Sequence, residues 1–565
     1  MLAAGHGIIA VILTVIHSCN CANILMVTMG GTKSHKIPFW ELSRGLIPRG
    51  HNITFISALG GTKSHKIPFW ELSRGLIPRG HNITFISAFP QDFIIEGLEE
   101  ITPTGLVFYV KNFTNWDLLG ARMRGEEPVH PLDMMRYPYE ACEILYSDGE
   151  MKEFLHSNHN FDLAILDGAF PECALGLTYH FKIPFMYINT VGFYTGSLAT
   201  AGNPAPYSIT PFLTKPFTDN MNLLERAINS IWHVSANLMH IVMVRVFLHG
   251  VLKKHFGSEI PHSYELSKNV SFILQNAHAT VTYPRPYLPN VAEVACIHCK
   301  APKPLPQDLE DFIKGSGDNG FIYFSMGSSV KAANMPEYLR RMLLCVFKQL
   351  PQRVLWKWEA NDMPDIPPNV KLSRWLPQQD LLGHPKIRAF VTHGGLLSMF
   401  ETIYHGVPIV TIPVFCDHDS NAAKAQLDGY AVQLDLATLT ADNLLKAIRK
   451  IIHNSKYKTN VKKMQYLLND QSETPLGRAV YWTEYVLRHK GAEHLLSPAR
   501  NLNVFQYYSI DVIALCIGCL MLMYYILKLS IRILYSYFSG SFVHRVFNVN
   551  VLYIEIVDTN FIQLL

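Results

Sequence analysis

The sequence is poor in charged residues and contains no long basic run. Charged side chains make up 17% of the 565 residues, and the formal net charge is +4. Because nucleic-acid-binding domains concentrate lysine and arginine on one face, we expect no nucleic-acid partner. The hydrophobic content of 49% excludes a disordered chain, and the length favours two or three domains.

A cysteine cluster of the kind that binds zinc is also missing. Of the ten cysteines, Cys296 and Cys299 form a single C-x-x-C motif, and no second pair lies at zinc-site spacing. A redox role, a structural role and ordinary buried thiols all stay open for this pair. We expect no metal site in this protein.

Long apolar segments are few, and the first of them lies at the N-terminus. Residues 7–16, GIIAVILTVI, are too short to cross a bilayer and are followed by small and polar residues. This pattern is typical of a cleaved secretory signal, so we predict that residues 1–22 are a signal peptide.

The second apolar segment is long enough to cross a membrane. It covers residues 507–527, has tyrosines at both ends, and is followed by Lys528 and Arg532. The positive-inside rule then predicts a type I topology, in which residues 23 to about 505 are lumenal and residues 528–565 form a cytosolic tail.

Between these segments, strand-like and helix-like stretches alternate in two series. Such alternation predicts parallel sheets, and a proline-rich stretch near residue 300 indicates a linker between them. We therefore predict an α/β protein with two facing doubly wound domains, residues 23–300 and 301–500. The strand-like runs are NILMVTM, FDLAILD and IPFMYINT in the first series, and FIYFSMGS, RVLWKW, RAFVTHGG and VPIVTIPVF in the second.

An exact repeat interrupts the first series. Residues 30–58 recur without substitution as residues 60–88, so two copies of one loop–helix–strand unit stand in series. A doubly wound sheet has a natural place for one such unit at this point. We expect the first copy to occupy that place, because it continues directly from NILMVTM, and the second copy to bulge out before Phe89.

The second domain contains a candidate phosphate site. The run RAFVT is followed by His393, Gly394 and Gly395, which lead directly into a helix at a solvent-facing turn. Free N–H groups at a helix N-terminus attract phosphate. Ser398 and Glu401 lie one helical turn apart, so a hydroxyl could contact a phosphate oxygen while a carboxylate accepts from sugar hydroxyls.

Further residues around this turn suit a nucleotide sugar. Trp375 and Gln378 precede the strand and could stack on a base and bond its edge or ribose. Asp417 follows the next strand and could hold hexose hydroxyls. Ser328, at the end of FIYFSMGS, completes the predicted donor site.

The order of these motifs resembles the UDP-glycosyltransferases, the family that includes animal glucuronosyl- and glucosyltransferases. The resemblance extends from Trp375 to Asn421 and includes the tail SETPLGRAVYWTEYVLRHKGAEHL. It implies a GT-B fold, an N-terminal acceptor domain and a C-terminal UDP-sugar domain. It also implies a UDP-sugar co-substrate without another cofactor, and an endoplasmic reticulum membrane location with one C-terminal span.

One departure from the family affects the sugar. Members usually have Asp-Gln where this sequence has Asp417 and His418, and that glutamine contacts the sugar. His418 is therefore included among the donor-binding residues. We expect a hexose, with glucose favoured over other sugars.

The expected reaction needs a base on the acceptor side. Histidine suits proton removal from a hydroxyl near neutral pH, and the resemblance assigns this role to the GGTKSH loop. In the same way Asp167, which ends FDLAILD, matches the aspartate that orients the base. Because of the repeat the base is His35, which we favour, or His65. We expect inversion by one direct, metal-independent displacement.

Two functions of different classes stay open. The first is an anchored enzyme that conjugates small lipophilic acceptors. The second is a catalytically impaired UDP-binding membrane protein, in which the repeated unit blocks the acceptor side. A homo-oligomer is compatible with both.

Overall fold

In a computed structural model, the chain divides into two compact units, residues 1–500 and 501–565. The structure describes residues 22–28, 41–42, 45–46, 52–57, 83–87, 98–101, 103–113, 116–168, 171–189, 196–327, 330–360 and 363–539. The predicted signal peptide lies outside these ranges, apart from Ala22.

A parallel sheet of eight strands forms the first half of the larger unit, in the order β4-β3-β2-β1-β5-β6-β7-β8. Its strands are β1 (Asn23–Thr28), β2 (Asn52–Ser57), β3 (Ile83–Ser87), β4 (Leu98–Ile101), β5 (Leu163–Asp167), β6 (Phe185–Asn189), β7 (Phe272–Gln275) and β8 (Val291–Glu293).

Both copies of the repeat contribute a strand to this sheet, so the expectation of a single slot is wrong. Strand β2 comes from the first copy and β3 from the second, and they pair in parallel with Phe55 opposite Phe85. These two residues occupy the same position of the repeat. A parallel edge offers the same backbone N–H and C=O groups whether one unit or two follow, so the second copy adds one strand about 4.8 Å further out.

Helices connect the parallel strands and cover the sheet, as the sequence predicts for βα units. The helices described in the first half are α1 (Thr104–Phe113), α2 (Leu118–Met123), α3 (Pro131–Ser147), α4 (Gly149–His156), α5 (Leu175–Phe181), α6 (Gly196–Thr200), α7 (Leu223–Val242), α8 (His249–Phe256) and α9 (Ser263–Ser267), with a π-helix at Met243–Leu248 between α7 and α8.

The second half has a parallel sheet of six strands in the order β11-β10-β9-β12-β13-β14. Its strands are β9 (Phe321–Ser325), β10 (Arg353–Lys357), β11 (Val370–Ser373), β12 (Ile387–Thr392), β13 (Ile409–Thr411) and β14 (Ala431–Gln433). Its helices are α10 (Gln307–Lys314), α11 (Glu337–Lys348), α12 (Gln378–Leu382), α13 (Leu396–His405), α14 (His418–Leu427), α15 (Ala441–His453), α16 (Ser455–Asn469) and α17 (Pro475–Arg488).

The central strands are apolar on both faces because both faces are covered. In β9, Ile322 and Phe324 belong to one buried cluster, whereas Phe321 and Tyr323 belong to another. The same alternation occurs in β1, where Leu25 and Val27 face one layer, and Ile24 and Met26 face the other. Side chains alternate along a strand, so each sheet is the middle of three layers.

One helix from each half packs against the other half. Helix α17 returns to the first sheet, where Ala479 and Val480 join the cluster around Ile24, and Trp482 stacks on Phe272 with 4.5 Å between ring centroids. In the opposite direction, Leu119 of α2 packs in the apolar core of the second sheet. The two sheets are therefore joined by packing as well as by the linker before α10.

The smaller unit is dominated by one apolar helix. The short α18 (Val504–Tyr507) is followed by helix α19 (Ile510–Ser539). The most apolar 18-residue window within Ile510–Tyr537 has a mean hydropathy of 2.3 and is 0% buried. It is long and apolar enough to cross a membrane. The predicted span at 507–527 lies largely within this helix, which continues past Lys528.

A second stretch passes the same length and composition test. The most apolar 18-residue window within Leu223–Phe256 has a mean hydropathy of 1.4 and is 17% buried. The structure shows α7, the π-helix and α8 in this stretch.

Candidate active site

The strand ends of the second sheet bring distant segments together. Strand β12 is paired with Thr392 opposite both Ser325 of β9 and Thr411 of β13. Three parallel strands thus end at one level, and the loops that follow them share one edge of the sheet. This is the edge at which parallel α/β sheets bind ligands.

The turn after β12 has the geometry of an anion site. Gly394 has a φ of +89°, a conformation that favours glycine, and the N-cap of α13 is Gly395, whose position offers no capping side chain. No side chain among the described residues caps α13, and the first N–H groups of a helix can bind an anion.

His393 is placed differently from the expectation of a solvent-facing turn. Its residue is 6% exposed, and burial, with a smaller contribution from Lys357, lowers the pKa of its imidazole to about 3. The edge of one ring meets the face of the other between His393 and His418, with 4.4 Å between centroids. At neutral pH His393 is uncharged and can offer a phosphate one N–H but no positive charge.

Two glycines make room for the His393 ring. A Cβ atom at Gly327 would lie 2.3 Å from His393 Cε1, and one at Gly395 would lie 2.6 Å from Nε2. Gly327 also has a φ of +77°. The ring is thus held between the ends of β9 and β12.

We expect Gly327→Ala to destabilise the protein by about 1–3 kcal/mol and to weaken UDP binding, because the new methyl group must displace His393 and the backbone must stay strained. Thermal unfolding and the Kd for UDP measure the two effects. Gly250→Ala is the control, since among the described residues no atom beyond its chain neighbours and its own helix backbone lies within 4 Å of the added Cβ. Equal melting temperatures and equal Kd values for UDP in the two variants would show that the close packing around His393 affects neither stability nor binding.

Three predicted donor residues form one hydrogen-bonded group. Gln378 Nε2 donates to Ser398 Oγ at 2.9 Å and to Glu401 Oε2 at 2.5 Å. The Tyr323 hydroxyl donates to Gln378 Oε1 at 3.2 Å. Helices α12 and α13 are therefore joined by the side chains that the sequence assigns to ribose and phosphate.

The remaining donor candidates lie around this group. Trp375 is 40% exposed and precedes α12, so its ring is accessible to a flat partner. Asn421 Nδ2 donates to Asp417 Oδ2 and to the Gly394 carbonyl, each at 2.9 Å, which joins the start of α14 to the turn after β12. Ser328 lies outside the described residues.

His418 is buried beside His393. Its Nδ1 accepts from the Phe415 N–H at 3.3 Å. Burial, together with the neighbouring His393 and the Arg122 guanidinium, lowers its pKa well below the ordinary value for histidine. Arg122 itself, from α2, donates to Asp419 at 2.7 Å. The residue that replaces the family's glutamine is therefore a neutral imidazole.

Two further residues of this region are not apparent from the sequence. Lys357 Nζ donates to the Gly327 carbonyl at 2.9 Å, and His298 Nε2 lies 3.4 Å from Glu401 Oε1. A lysine ending a strand and a histidine within the C-x-x-C linker give no local signal, since both contacts join positions far apart in the chain.

The first sheet carries polar side chains at its carboxyl edge. Asp167 ends β5 and is 1% exposed, and β5 pairs with β1 so that Leu166 lies opposite Val27. On the next strands, Asn189 Nδ2 donates to Gln275 Oε1 at 2.6 Å. His35 and His65 lie outside the described residues.

Within the described ranges, no three His, Cys, Asp or Glu side chains lie close enough together to hold a metal ion. The described cysteines include two disulfides, Cys142–Cys173 and Cys296–Cys299. For the C-x-x-C pair, the structure therefore shows a bridge rather than two free thiols.

Residues 111–544 match the family described as UDP-glucoronosyl and UDP-glucosyl transferase. The chain belongs to this UDP-glycosyltransferase family. It is 36% identical over 394 residues to UDP-glucuronosyltransferase 2C1 of Oryctolagus cuniculus, a match that covers 68% of this chain and 76% of the relative. It is 33% identical over 460 residues to UDP-glucosyltransferase 2 of Dactylopius coccus, which covers 80% and 88%.

Solved structures confirm the fold expected of the UDP-glycosyltransferases. The chain is similar to the kitacinnamycin glycotransferase, with a TM-score of 0.53 and 16% identity over 83% of this chain and 99% of that one. It is also similar to the calicheamicin glycosyltransferase CalG4, with a TM-score of 0.51 and 16% identity over 85% and 100%. Two Rossmann-like bodies with parallel sheets make this a GT-B fold.

Proposed function

We propose that the protein transfers a hexose, with glucose as the sugar, from a UDP-sugar to the hydroxyl group of a small lipophilic acceptor. The observation that carries this proposal is the shared edge of the second sheet, where the glycine turn at the start of α13 lies beside the Gln378–Ser398–Glu401 group. A diphosphate would bind the helix N-terminus, and the ribose hydroxyls would donate to Glu401.

Stacking and hydrogen bonds would hold the rest of the donor. The uracil would stack on the accessible ring of Trp375 and bond Gln378, and Ser398 with the neutral His393 would donate to the phosphates. Asp417 would accept from hexose hydroxyls. Ser328 completes this proposed set.

Glucose is favoured over glucuronic acid because His418 is uncharged. The low pKa keeps this buried ring neutral, so it offers no cation to a sugar carboxylate. Burying a carboxylate without a cationic partner is costly, whereas neutral hydroxyls need only hydrogen bonds.

The acceptor would be activated from the first sheet. We assign the base to His35, with His65 as the alternative, and the orienting carboxylate to Asp167. The acceptor oxygen would attack the anomeric carbon as the bond to the UDP oxygen breaks, which inverts the configuration. The acceptor's proton would pass to the histidine, and the α13 N-terminus would stabilise the departing diphosphate.

The proposed location is the endoplasmic reticulum membrane, with α19 as a single span and the larger unit in the lumen. This location rests on the apolar helix and on the two basic residues Lys528 and Arg532. Basic residues next to a span favour the cytosolic side, so the chain before the span would be lumenal. The protein could act as a homo-oligomer, for which sedimentation of the detergent-solubilised chain is the measurement.

Turnover of a phenolic acceptor by the full-length chain tests the proposed function. We expect product with UDP-glucose and much less with UDP-glucuronic acid. The same assay on a chain that lacks residues 59–88 separates the enzyme from the impaired UDP-binding protein. If UDP bound but only the shortened chain turned over, the repeat would block catalysis.

We expect His393→Ala and Ser398→Ala each to weaken UDP binding by about tenfold, because each removes a hydrogen bond to a charged group. Calorimetry with UDP measures this loss. His393→Gln keeps an N–H and should retain most of the affinity. Since His393 is neutral, the ratio of variant to wild-type Kd should be the same at pH 6 and pH 8. Unchanged affinity in both alanine variants would contradict the phosphate assignment.

A further inference from the structure

The linker between the two sheets carries a four-residue loop that is closed by the Cys296–Cys299 disulfide. This loop is seated against the second sheet's helices. Gln379 Nε2 donates to the His298 carbonyl at 3.1 Å, and the Lys300 N–H donates to Gln379 Oε1 at 2.8 Å. The loop is thus fixed to α12 at the residue that follows Gln378.

The side chain of His298 points from this loop to the predicted ribose site. It is 1% exposed, and its Nε2 lies 3.4 Å from Glu401 Oε1. Neither ring nitrogen makes a well-aligned hydrogen bond to the part of the chain that the structure describes. Buried polar groups of this kind are few in native proteins, and each calls for an explanation.

A nitrogen atom therefore faces each oxygen of the Glu401 carboxylate. Gln378 donates to its Oε2, and His298 faces its Oε1 from the other side. The terminal torsion of a glutamate is broad, so one hydrogen bond alone leaves the carboxylate free to turn. A second contact on the opposite oxygen restricts that rotation.

We propose that His298 is a positioning residue that holds the Glu401 carboxylate in the orientation that accepts ribose hydroxyls, and that the Cys296–Cys299 disulfide holds the His298 ring in place. This inference rests on the proposed function, in which Glu401 binds the ribose. A loop closed by a disulfide has few backbone conformations, so the Cα of His298 keeps its place relative to the carboxylate. Outer-shell partners orient metal ligands in the same way.

The test compares UDP with its 2′,3′-dideoxy analogue, which lacks both ribose hydroxyls. The Kd of each is measured by calorimetry on the full-length, detergent-solubilised chain. Hydrogen bonds to a charged group are worth about 1.5–3 kcal/mol, so the wild type should prefer UDP by about tenfold or more. His298→Leu should remove most of this preference and leave the affinity for the dideoxy analogue nearly unchanged. His298→Gln keeps an N–H and should restore part of the preference.

The disulfide provides a second, independent arm. The double variant Cys296→Ser with Cys299→Ser should lose the preference for UDP as His298→Leu does, and it carries the test if His298→Leu does not fold. The matched control is Cys142→Ser with Cys173→Ser, which opens the disulfide in the core of the first half. It should lower the melting temperature without changing the ratio of the two Kd values.

Glu401→Ala distinguishes a failure of this inference from a failure of the proposed function. If Glu401→Ala leaves the preference for UDP unchanged, Glu401 does not bind the ribose and both ideas fall. If Glu401→Ala removes the preference while His298→Leu and the serine double variant keep it, the donor site stands and the role of His298 is overturned.

Discussion

Asp167→Asn should lower the turnover number by about two to four orders of magnitude and leave the affinity for UDP near that of the wild type. Asp167 is 1% exposed at the carboxyl end of β5, next to the strand that leads to His35. An amide in its place would keep the shape but could not stabilise the protonated base. Steady-state kinetics and UDP calorimetry measure the two quantities.

The pH dependence of the turnover rate tests the role of Asp167 more specifically. A carboxylate beside a histidine raises the pKa of the imidazole, so its loss should move the acidic limb of the rate profile to lower pH. Asp162→Asn is the control, because Asp162 accepts from the Asn23 N–H at 2.7 Å at the opposite end of β5. Loss of UDP binding in Asp167→Asn would instead place this residue in the donor site.

Local sequence patterns were sufficient for the parts of the fold that depend on neighbouring residues. The runs that contain β1, β5, β6, β9 and β12 are continuous and apolar, and the structure shows strands in all of them. The short strands β8 and β14 were not predicted, since three residues carry no periodic signal. The crossing of α17 onto the first sheet was missed because its apolar face could pack on either half.

Prediction of the candidate donor site was limited in the same way to contacts between residues close in the chain. One helical turn separates Ser398 from Glu401, so sequence spacing alone places them together. Gln378 was predicted for the same site, but its hydrogen bonds to both residues became apparent only in the structure. Burial of His393 could not be foreseen, because it follows from the ends of β9 and β12, which are far apart in the chain. The contact of His298 with Glu401 depends on that same tertiary arrangement.

The strand order shows which copy of the repeat follows the strand nearest to Asp167. Strand β1 is the neighbour of β5, whereas β2 lies one strand further from Asp167. The first copy follows β1 and the second follows β2. In the first copy, Leu42 and Leu46 are fully buried beneath α17, and a Cβ at Gly45 would lie 2.2 Å from Val480. Helix α17 therefore packs closely against Leu42, Gly45 and Leu46 of the first copy.

These observations favour His35 as the base, although both histidines lie outside the described residues. In the chain, His35 follows β1, which pairs with β5, and His65 follows β2, which lies about 4.8 Å further from β5. A base must approach the acceptor oxygen to about 3 Å, so the displacement of one strand is decisive.

His35→Ala should therefore lower transfer by about two to four orders of magnitude, the range that a general base contributes, whereas His65→Ala should leave it unchanged. Turnover of a phenolic acceptor with UDP-glucose measures both variants, and UDP calorimetry checks that each still binds the donor. Loss of activity only in His65→Ala would assign the base to the second copy. Half activity in each variant would mean that the identical copies exchange places in the sheet, since neither sequence specifies its own register. Full activity in both would exclude a histidine base, because a hydroxyl acceptor would then be losing its proton to another group.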